Sequence, residues 1–588
     1  WIWTFFLLRE TPVFAAALRR QWEEALSLNA RHIETYLSTY FSPNTHLLGE
    51  ALGLFFIGTL FPSLRRTRRW QRRGWEILLR ESAKQVREDG FYFEQSTYYH
   101  VYAADIFLHA RILAERNRMS IPSEFEDCIQ RMLNALAVLG RGGIPPMIGD
   151  DDGGRIFDAT RNRREHMLDP LATGAVLYDR ADFKELAGSS REEGLWLLGL
   201  PGLARFDSLP TAPPESASTS FPNSGLYLMT DEAGTRQLFI DAGPLGAHSG
   251  GHGHADALSI CLARDGESVL IDPGTFEYVG ASGERARLRG TGAHNTLRVD
   301  GRDQADAAGP FSWQDFPQVR VEQWIRGRAF DLFCGSHDGY KRLTEPVVHR
   351  RFVFHKNGEF YLVRDVAEGR GRHDLELAWH IDPAFSRASE SLFFSGEKSS
   401  LTFIPAMDCG WSADVVREDW SPAYGLAEPA SVVRFSARAE LPAELATVVS
   451  VEGKSPAASG TLTRVHEAAD EAAVYRYLAK DCEHLFFFRR QPGQWSAGAF
   501  SSDAEFLYIS FDHTRNICHL ILCAGSWARM AGESVLNSQQ RVSYAEVLSL
   551  PGRSEVQGSD PGVDSVSPTL HRNVADLFKR GELLKAGS

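Results

Sequence analysis

The chain has 588 residues, with 63 Lys and Arg against 76 Asp and Glu, for a formal net charge of -13. That length exceeds what one hydrophobic core organises, so two or more domains are expected. The acidic balance argues against nucleic acid or an anionic membrane as a partner, and seven cysteines without a Cys-x-x-Cys pair indicate neither a disulfide scaffold nor a zinc finger.

The first two hundred residues show helical periodicity. The opening run Trp1-Ile-Trp-Thr-Phe-Phe-Leu-Leu8 is too short to span a bilayer and lacks a basic flank or a cleavage site. It reads as a helix of a longer parent chain. Ser42-Pro43-Asn44-Thr45-His46 starts a helix, with Ser42 as cap and Pro43 in the first turn. Asn44 and His46 then fall at the rim of the helical layer, where Asn44 serves turn chemistry or a ligand. Arg65-Arg66-Thr-Arg68-Arg69-Trp-Gln-Arg72-Arg73 is either a solvated helix face or a funnel for a polyanionic chain.

Apolar residues at 75, 78, 79, 83 and 86 form one helical stripe. Glu94-Gln-Ser96-Thr97-Tyr98-Tyr99-His100 opens the next helix, capped by Ser96 or Thr97 and running to Ala114. A further helix covers Cys128 to Leu139 and stops at Gly140. Ile144-Pro-Pro-Met-Ile-Gly-Asp150-Asp-Asp-Gly-Gly-Arg155 is an acidic, glycine-rich loop; calcium chelation is conceivable there, without the EF-hand spacing. Successive helices with short connections imply hairpins packed side by side.

The pattern changes after Pro201. Thr211 to Ser220 has linker composition. Short alternating runs separated by Asp-Gly and Asn-Gly turns then continue towards residue 550, the pattern of antiparallel sheet. The resulting division is a helical domain over 1-205, a linker over 206-220, a β-sandwich over 221-555 and a peripheral tail over 556-588. A short helix from Asn573 to Leu584 is expected within that tail.

Chemistry concentrates in the middle of the chain. The loop from Gly243 to His254 holds five glycines and three histidines, and glycine permits close backbone approach to a ligand. His254, Asp272 and His294 can converge because the Arg264-Asp-Gly-Glu hairpin returns the strand end at 272 beside residue 254. Two imidazoles and a carboxylate suit zinc rather than calcium. Read alone, the same residues also fit satisfied polar groups at loop ends.

Pro43-Asn-Thr-His-Leu-Leu-Gly-Glu-Ala51, Glu94-Gln-Ser-Thr-Tyr-Tyr-His100, Pro145-Pro-Met-Ile-Gly-Asp150, Gly251-His-Gly-His-Ala-Asp256, Asp272-Pro-Gly-Thr-Phe276 and Ala293-His-Asn-Thr-Leu-Arg-Val-Asp-Gly301 follow one another in an order that resembles the heparinase II/III-like polysaccharide lyases. The resemblance covers about residues 20 to 310 and implies an α+β multidomain fold: an incomplete α/α toroid followed by a large antiparallel β-sandwich, with a cleft between them. It implies β-elimination of a uronic-acid polysaccharide such as heparin or heparan sulfate. Alginate, oligoalginate or a bacterial exopolysaccharide is the rival substrate, and a non-catalytic polysaccharide-binding protein the rival class.

Carried over by position, Asn44 engages the substrate carboxylate, His46 assists or acts as base, Tyr99 acts as acid or as base and acid in turn, and His252 is the cleft histidine from the strand half. Glu94, Asp150, Arg155 and Arg289 are assigned to substrate binding, and His254, Asp272 and His294 to a structural Zn2+. The chain reads Asn44-Thr45-His46 where many relatives read Asn-Asn-His. The segment Glu284 to Arg289 also lacks an aromatic residue that many of them carry. An acidic polysaccharide is the expected partner, with no nucleic acid and no membrane, and a second copy could form a homodimer. A periplasmic or secreted location is what the resemblance implies.

Overall fold

The computed structural model describes residues 1-12, 14-156, 164-189, 192-388, 391-407, 410-454, 460-465, 471-550 and 553-558. The helix expected from Asn573 to Leu584 lies outside them.

The helical half is built on Thr45–Leu60, Thr67–Gln85, Thr97–Arg116 and Ser123–Leu139. Thr97–Arg116 is buried on nearly every side, which explains its weak amphipathicity: a helix surrounded by others needs no polar face. Its Ile106 and Phe107 pack with Leu48, Phe55, Leu78 and Leu133 in one core. Two glycines set the spacing of its neighbours. A Cβ at Gly74 would stand 2.5 Å from the Ala51 carbonyl oxygen, and one at Gly58 would collide with the Gln71 backbone, so Thr45–Leu60 and Thr67–Gln85 touch main chain to main chain. The last helix, Glu192–Ser208, bends at Gly199, where φ is 70°, and resumes through Pro201, reaching past the expected boundary at 205. The first strand is Thr219–Phe221.

The strand half is antiparallel throughout, and it departs from a single sandwich over 221-555. It forms three large sheets of nine, eight and nine strands, plus one small hairpin. The first sheet runs from Thr219–Phe221 through Glu267–Leu270 and adds Arg372–Ile381, Glu428–Glu440 and Ser412–Trp420. The second contains Phe330–Tyr340, Val347–Lys356, Phe360–Gly369 and Ala443–Gly453, and these two sheets enclose Ile240, Leu262, Val353, Val363, Trp379 and Val449.

The second sheet is apolar on both faces. Phe354 and Leu362, one residue out of phase with Val353 and Val363, point the opposite way into a core shared with Tyr475, Phe486 and Tyr508. That core seats the third sheet, which includes Ala472–Leu478, Cys482–Arg489, Phe506–Asp512 and the long pair Ile517–Met530 and Glu533–Leu550. The helices close the other side of the stack. Phe91, Leu139 and Ile148 pack on Leu226, Leu228 and Phe239 of the first sheet. The sequence motifs from both halves meet along this seam.

Candidate active site

Asn44, not Ser42, caps Thr45–Leu60: its Oδ1 accepts from the His46 backbone N–H at 3.1 Å, while its Nδ2 donates to Glu94 Oε1 at 2.7 Å. The cap shifts because an asparagine two residues before His46 satisfies the first-turn donor directly. His46 is exposed at the mouth of the site. Ser96 caps Thr97–Arg116 by accepting from the Tyr99 backbone N–H, which orients the Tyr99 ring off the first turn.

The Tyr99 ring stacks on His252, with centroids 3.8 Å apart and planes 25° from parallel. Its hydroxyl donates to Asp152 Oδ2 at 3.2 Å and lies 2.9 Å from the hydroxyl of Tyr278. Burial pushes the Tyr99 phenol well above its ordinary range, the Asp152 charge pushes further, and the hydrogen bond from Tyr278 pulls the other way. Tyr98 is buried edge-on to Tyr99. Tyr278 carries no motif of its own; it lies four residues after Gly274 of the Asp272-Pro-Gly turn. Arg285 carries no sequence signal either, and its guanidinium covers the Tyr278 ring at 4.9 Å.

Asp150, expected to bind substrate, is completely buried. Its two oxygens meet His252 Nδ1 and His254 Nε2, each at 3.0 Å, and Arg285 closes on both oxygens. Burial opposes its charge, but the two histidines and Arg285 outweigh that and hold the carboxyl far below the usual range. Glu94 is also a positioning group: it takes Asn44 and Thr45 and lies 3.7 Å from His252 Nε2.

The two arginines assigned to substrate both have partners within the protein. Arg155 is buried between Asp105 and Glu193, at 3.2 and 2.8 Å. Arg289 donates to the Gly309 and Pro310 carbonyls and lies over Trp313 at 4.3 Å. In both cases a buried guanidinium needs every acceptor it has. The arginine run lies apart from this site. It occupies the start of Thr67–Gln85, whose far end donates from Gln85 to Pro43 beside the site, so about 18 Å of helix separates Arg73 from Gln85 at about 1.5 Å per residue. Two of its members, Arg66 and Arg69, pair with Glu34.

His254, Asp256 and His294 present ligand atoms that all lie within 4.8 Å of one another, the one such group among the described residues. His254 Nδ1 and His294 Nε2 are buried with no hydrogen-bond partner. Their other ring nitrogens are held by Asp150 and Asp272, at 3.0 Å each. Asp272 stands behind His294, and Asp256 presents the third of the clustered ligand atoms, where the sequence expectation was Asp272. Asp256 closes the Gly251-His-Gly-His-Ala-Asp256 stretch, where nothing in the sequence sets it apart as a ligand. Burial, then Asp241 and Asp272, push the Asp256 carboxyl well up, and burial takes Asp241 up to about 7. Two unpartnered imidazole nitrogens among crowded buried carboxyls fit a divalent cation such as zinc, and the carboxylate-histidine pairs behind it are the usual outer support.

Two family descriptions match the chain: heparinase II/III N-terminus over residues 4–152, and heparinase II/III-like C-terminal over 213–473. The chain belongs to the heparinase II/III-like family. It is 25% identical over 407 residues to a heparin-sulfate lyase of Pedobacter heparinus, covering 66% of this chain and 54% of that protein. It is 24% identical over 386 residues to a heparin-sulfate lyase of Bacteroides stercoris, covering 64% and 51%. The chain thus spans about half the length of these curated relatives. Among solved structures, a heparan sulfate lyase from Pedobacter heparinus superposes with a TM-score of 0.58 at 20% identity, over 81% of this chain and 70% of that one. A heparinase III structure superposes at 0.64 and 15% identity, over 83% and 73%. The same order of helical half and antiparallel sheets is therefore shared. No described helix is long and apolar enough to cross a membrane.

Proposed function

We propose that this chain is a polysaccharide lyase that cleaves a uronic-acid-containing polysaccharide by β-elimination, with a heparin- or heparan-sulfate-like glycosaminoglycan as substrate. The observation that carries this reading is the Tyr99 hydroxyl: recessed, stacked by His252 at 3.8 Å and met by Tyr278 at 2.9 Å. The curated relatives, named heparin-sulfate lyases, favour the glycosaminoglycan over alginate or a bacterial exopolysaccharide.

In such an elimination a base takes the C5 proton of the uronate. The released electron pair forms the C4–C5 double bond, the C4–O4 bond breaks, and an acid protonates O4. The C5 proton leaves only if the adjacent carboxylate is neutralised as enolate charge develops. Asn44 meets that need: Glu94 occupies one amide hydrogen and leaves the other for the substrate. Tyr99, held protonated by its raised pKa, gives its proton to O4, and Tyr278 donates to the phenolate left behind. His252 is fixed by Asp150 with its ring against Tyr99. The base is His46 at the mouth or Tyr99 itself in its ionised form. Hydrolysis by paired carboxylates is disfavoured, because Asp150 is committed to His252, His254 and Arg285 and Asp152 to Tyr99.

His254, Asp256 and His294 would hold a zinc ion. It would supply fixed positive charge that ties the loop bearing His252 to the strand end at Asp272. A periplasmic or secreted location is part of the same proposal. Incubation with heparin, heparan sulfate, alginate and an acidic exopolysaccharide, followed by unsaturated-uronate absorbance, tests it. A rise on heparan sulfate supports the full reading, a rise on alginate alone moves the substrate, and no rise on any polymer removes the lyase assignment.

A further inference from the structure

Three aspartates follow one another in the glycine-rich loop, and the fold gives each a different neighbour. Asp150 spends both oxygens on His252, His254 and Arg285. Asp151 is buried and accepts from the Gly153 N–H at 2.6 Å. Of the three, Asp152 reaches the reacting hydroxyl. Its Oδ1 accepts from the Gly154 N–H at 2.7 Å, and its Oδ2 accepts from Tyr99 at 3.2 Å. A Cβ at Gly154 would stand 2.8 Å from that Oδ1, so the glycine lets the loop close tightly on the carboxylate. Asp152 is half-buried, and among the described residues no cation pairs with it.

These contacts fix where the Tyr99 proton sits. A phenol has one O–H and two lone pairs. A carboxylate at Asp152 can only accept, so Tyr99 donates to it. The 2.9 Å contact with Tyr278 must then run from the Tyr278 hydroxyl to the Tyr99 oxygen. Tyr99 is left with no proton to turn towards a substrate and with one lone pair that no group among the described residues uses. At rest the oxygen is therefore set as an acceptor. A phenol oxygen can take a C5 proton only if its own proton leaves as the new one arrives.

We propose that Asp152 is the proton acceptor that lets neutral Tyr99 serve as the base of the elimination. This rests on the lyase reading above. As the Tyr99 oxygen takes the C5 proton, its own proton passes to Asp152 Oδ2. The C5–H electron pair becomes the C4–C5 double bond, and the C4–O4 bond breaks with its electron pair on O4. Tyr99 gives O4 the proton it took, and Asp152 returns the borrowed proton to Tyr99. Phenol and carboxylate end as they began, and no further acid or base enters.

The test is steady-state kinetics on a uronate polymer, read by unsaturated-uronate absorbance. Asp152→Asn keeps an acceptor for the Gly154 N–H but cannot take a proton. Its kcat should fall about 10²-fold or more, with KM changed by no more than about threefold. Asp152→Glu restores a carboxylate and should recover about tenfold or more of that loss. Asp152→Ala, matched to wild type in its unfolding midpoint, should gain activity in proportion to added formate and none from chloride. An active wild type beside an Asp152→Asn with kcat within about threefold would overturn the relay and leave the lyase reading standing. A loss that neither Glu nor formate restores would also overturn it, since the carboxylate would then only prop the loop. A wild type that forms no unsaturated uronate on any polymer removes the lyase reading itself.

Discussion

Asp150 holds His252 and His254 with its two carboxylate oxygens, 3.0 Å from each ring. One of these histidines stacks on Tyr99 and the other faces the cation group, so a single buried side chain from the helical half positions both. Asp150→Asn would leave Arg285 without its charge partner inside the protein. We expect a loss of about 3–5 kcal/mol, as when one member of a buried ion pair is removed. Denaturant unfolding of the variant measures it; a loss within error of zero would mean Arg285 finds another acceptor.

Tyr99→Phe keeps the stack on His252 and removes only the hydroxyl. The expected fall in kcat is about 10²- to 10⁴-fold, the usual worth of a general acid, with little change in KM. His46→Ala, assayed beside it, separates the two candidate bases.

Tyr278→Phe removes a donor from the Tyr99 oxygen. The Tyr278 bond favours ionised Tyr99, so its loss raises the Tyr99 pKa further above the ordinary value. If Tyr99 acts protonated, the alkaline limb of the pH–kcat profile moves up; if it acts ionised, the acidic limb moves up. Either way the movement is to higher pH, with kcat lower by about tenfold, the scale of one hydrogen bond to a charged group. A shift to lower pH, or none, would separate Tyr278 from the chemistry.

Asp151 gives a pH-dependent stability prediction. Burial, and then the charges of Asp152 and Asp150, raise its carboxyl to about 7 against the Gly153 hydrogen bond that opposes them. The unfolded chain would ionise it near 3.8. Its folded pKa is the higher one, so folding grows costlier as pH rises from about 4 to 7 and the cost is constant above. Asp151→Asn should therefore match wild type near pH 4 and exceed it by a few kcal/mol at pH 8, at 1.36 kcal/mol per unit. An equal stability gap at both values would contradict the assignment.

Metal analysis should find about one zinc per chain, and chelation should lower the unfolding temperature. Asp256→Asn should cost more affinity than Asp272→Asn, whose outer position predicts a loss of about 10- to 100-fold. The reverse order would restore Asp272 as the direct ligand.

Much of the architecture was legible because its signals are local. Ser96, Gly140 and the Asp-Gly turns mark their element ends through short-range hydrogen bonds and backbone preference. The third sheet was not separable, since Val353 and Phe354 read alike as apolar, and only the pleat sends them into different cores. Tyr99 and His252 were recognisable from motif order, but their stacking was not. Asp150, Arg155 and Arg289 were assigned from the family resemblance, and nothing local reveals the buried partners that each meets on a distant element. Tyr278 and Asp256 needed the fold, because their roles depend on atoms 179 residues away in one case and 38 in the other.

Uronate elimination is proposed to depend on the Tyr99 hydroxyl. Its most direct measurement is unsaturated-uronate absorbance during incubation of heparan sulfate with wild type and with Tyr99→Phe, both confirmed folded by their unfolding midpoints. Wild type should give a steady rise and the variant essentially none. An equal rise in both, or chain cleavage with no new absorbance, would contradict it.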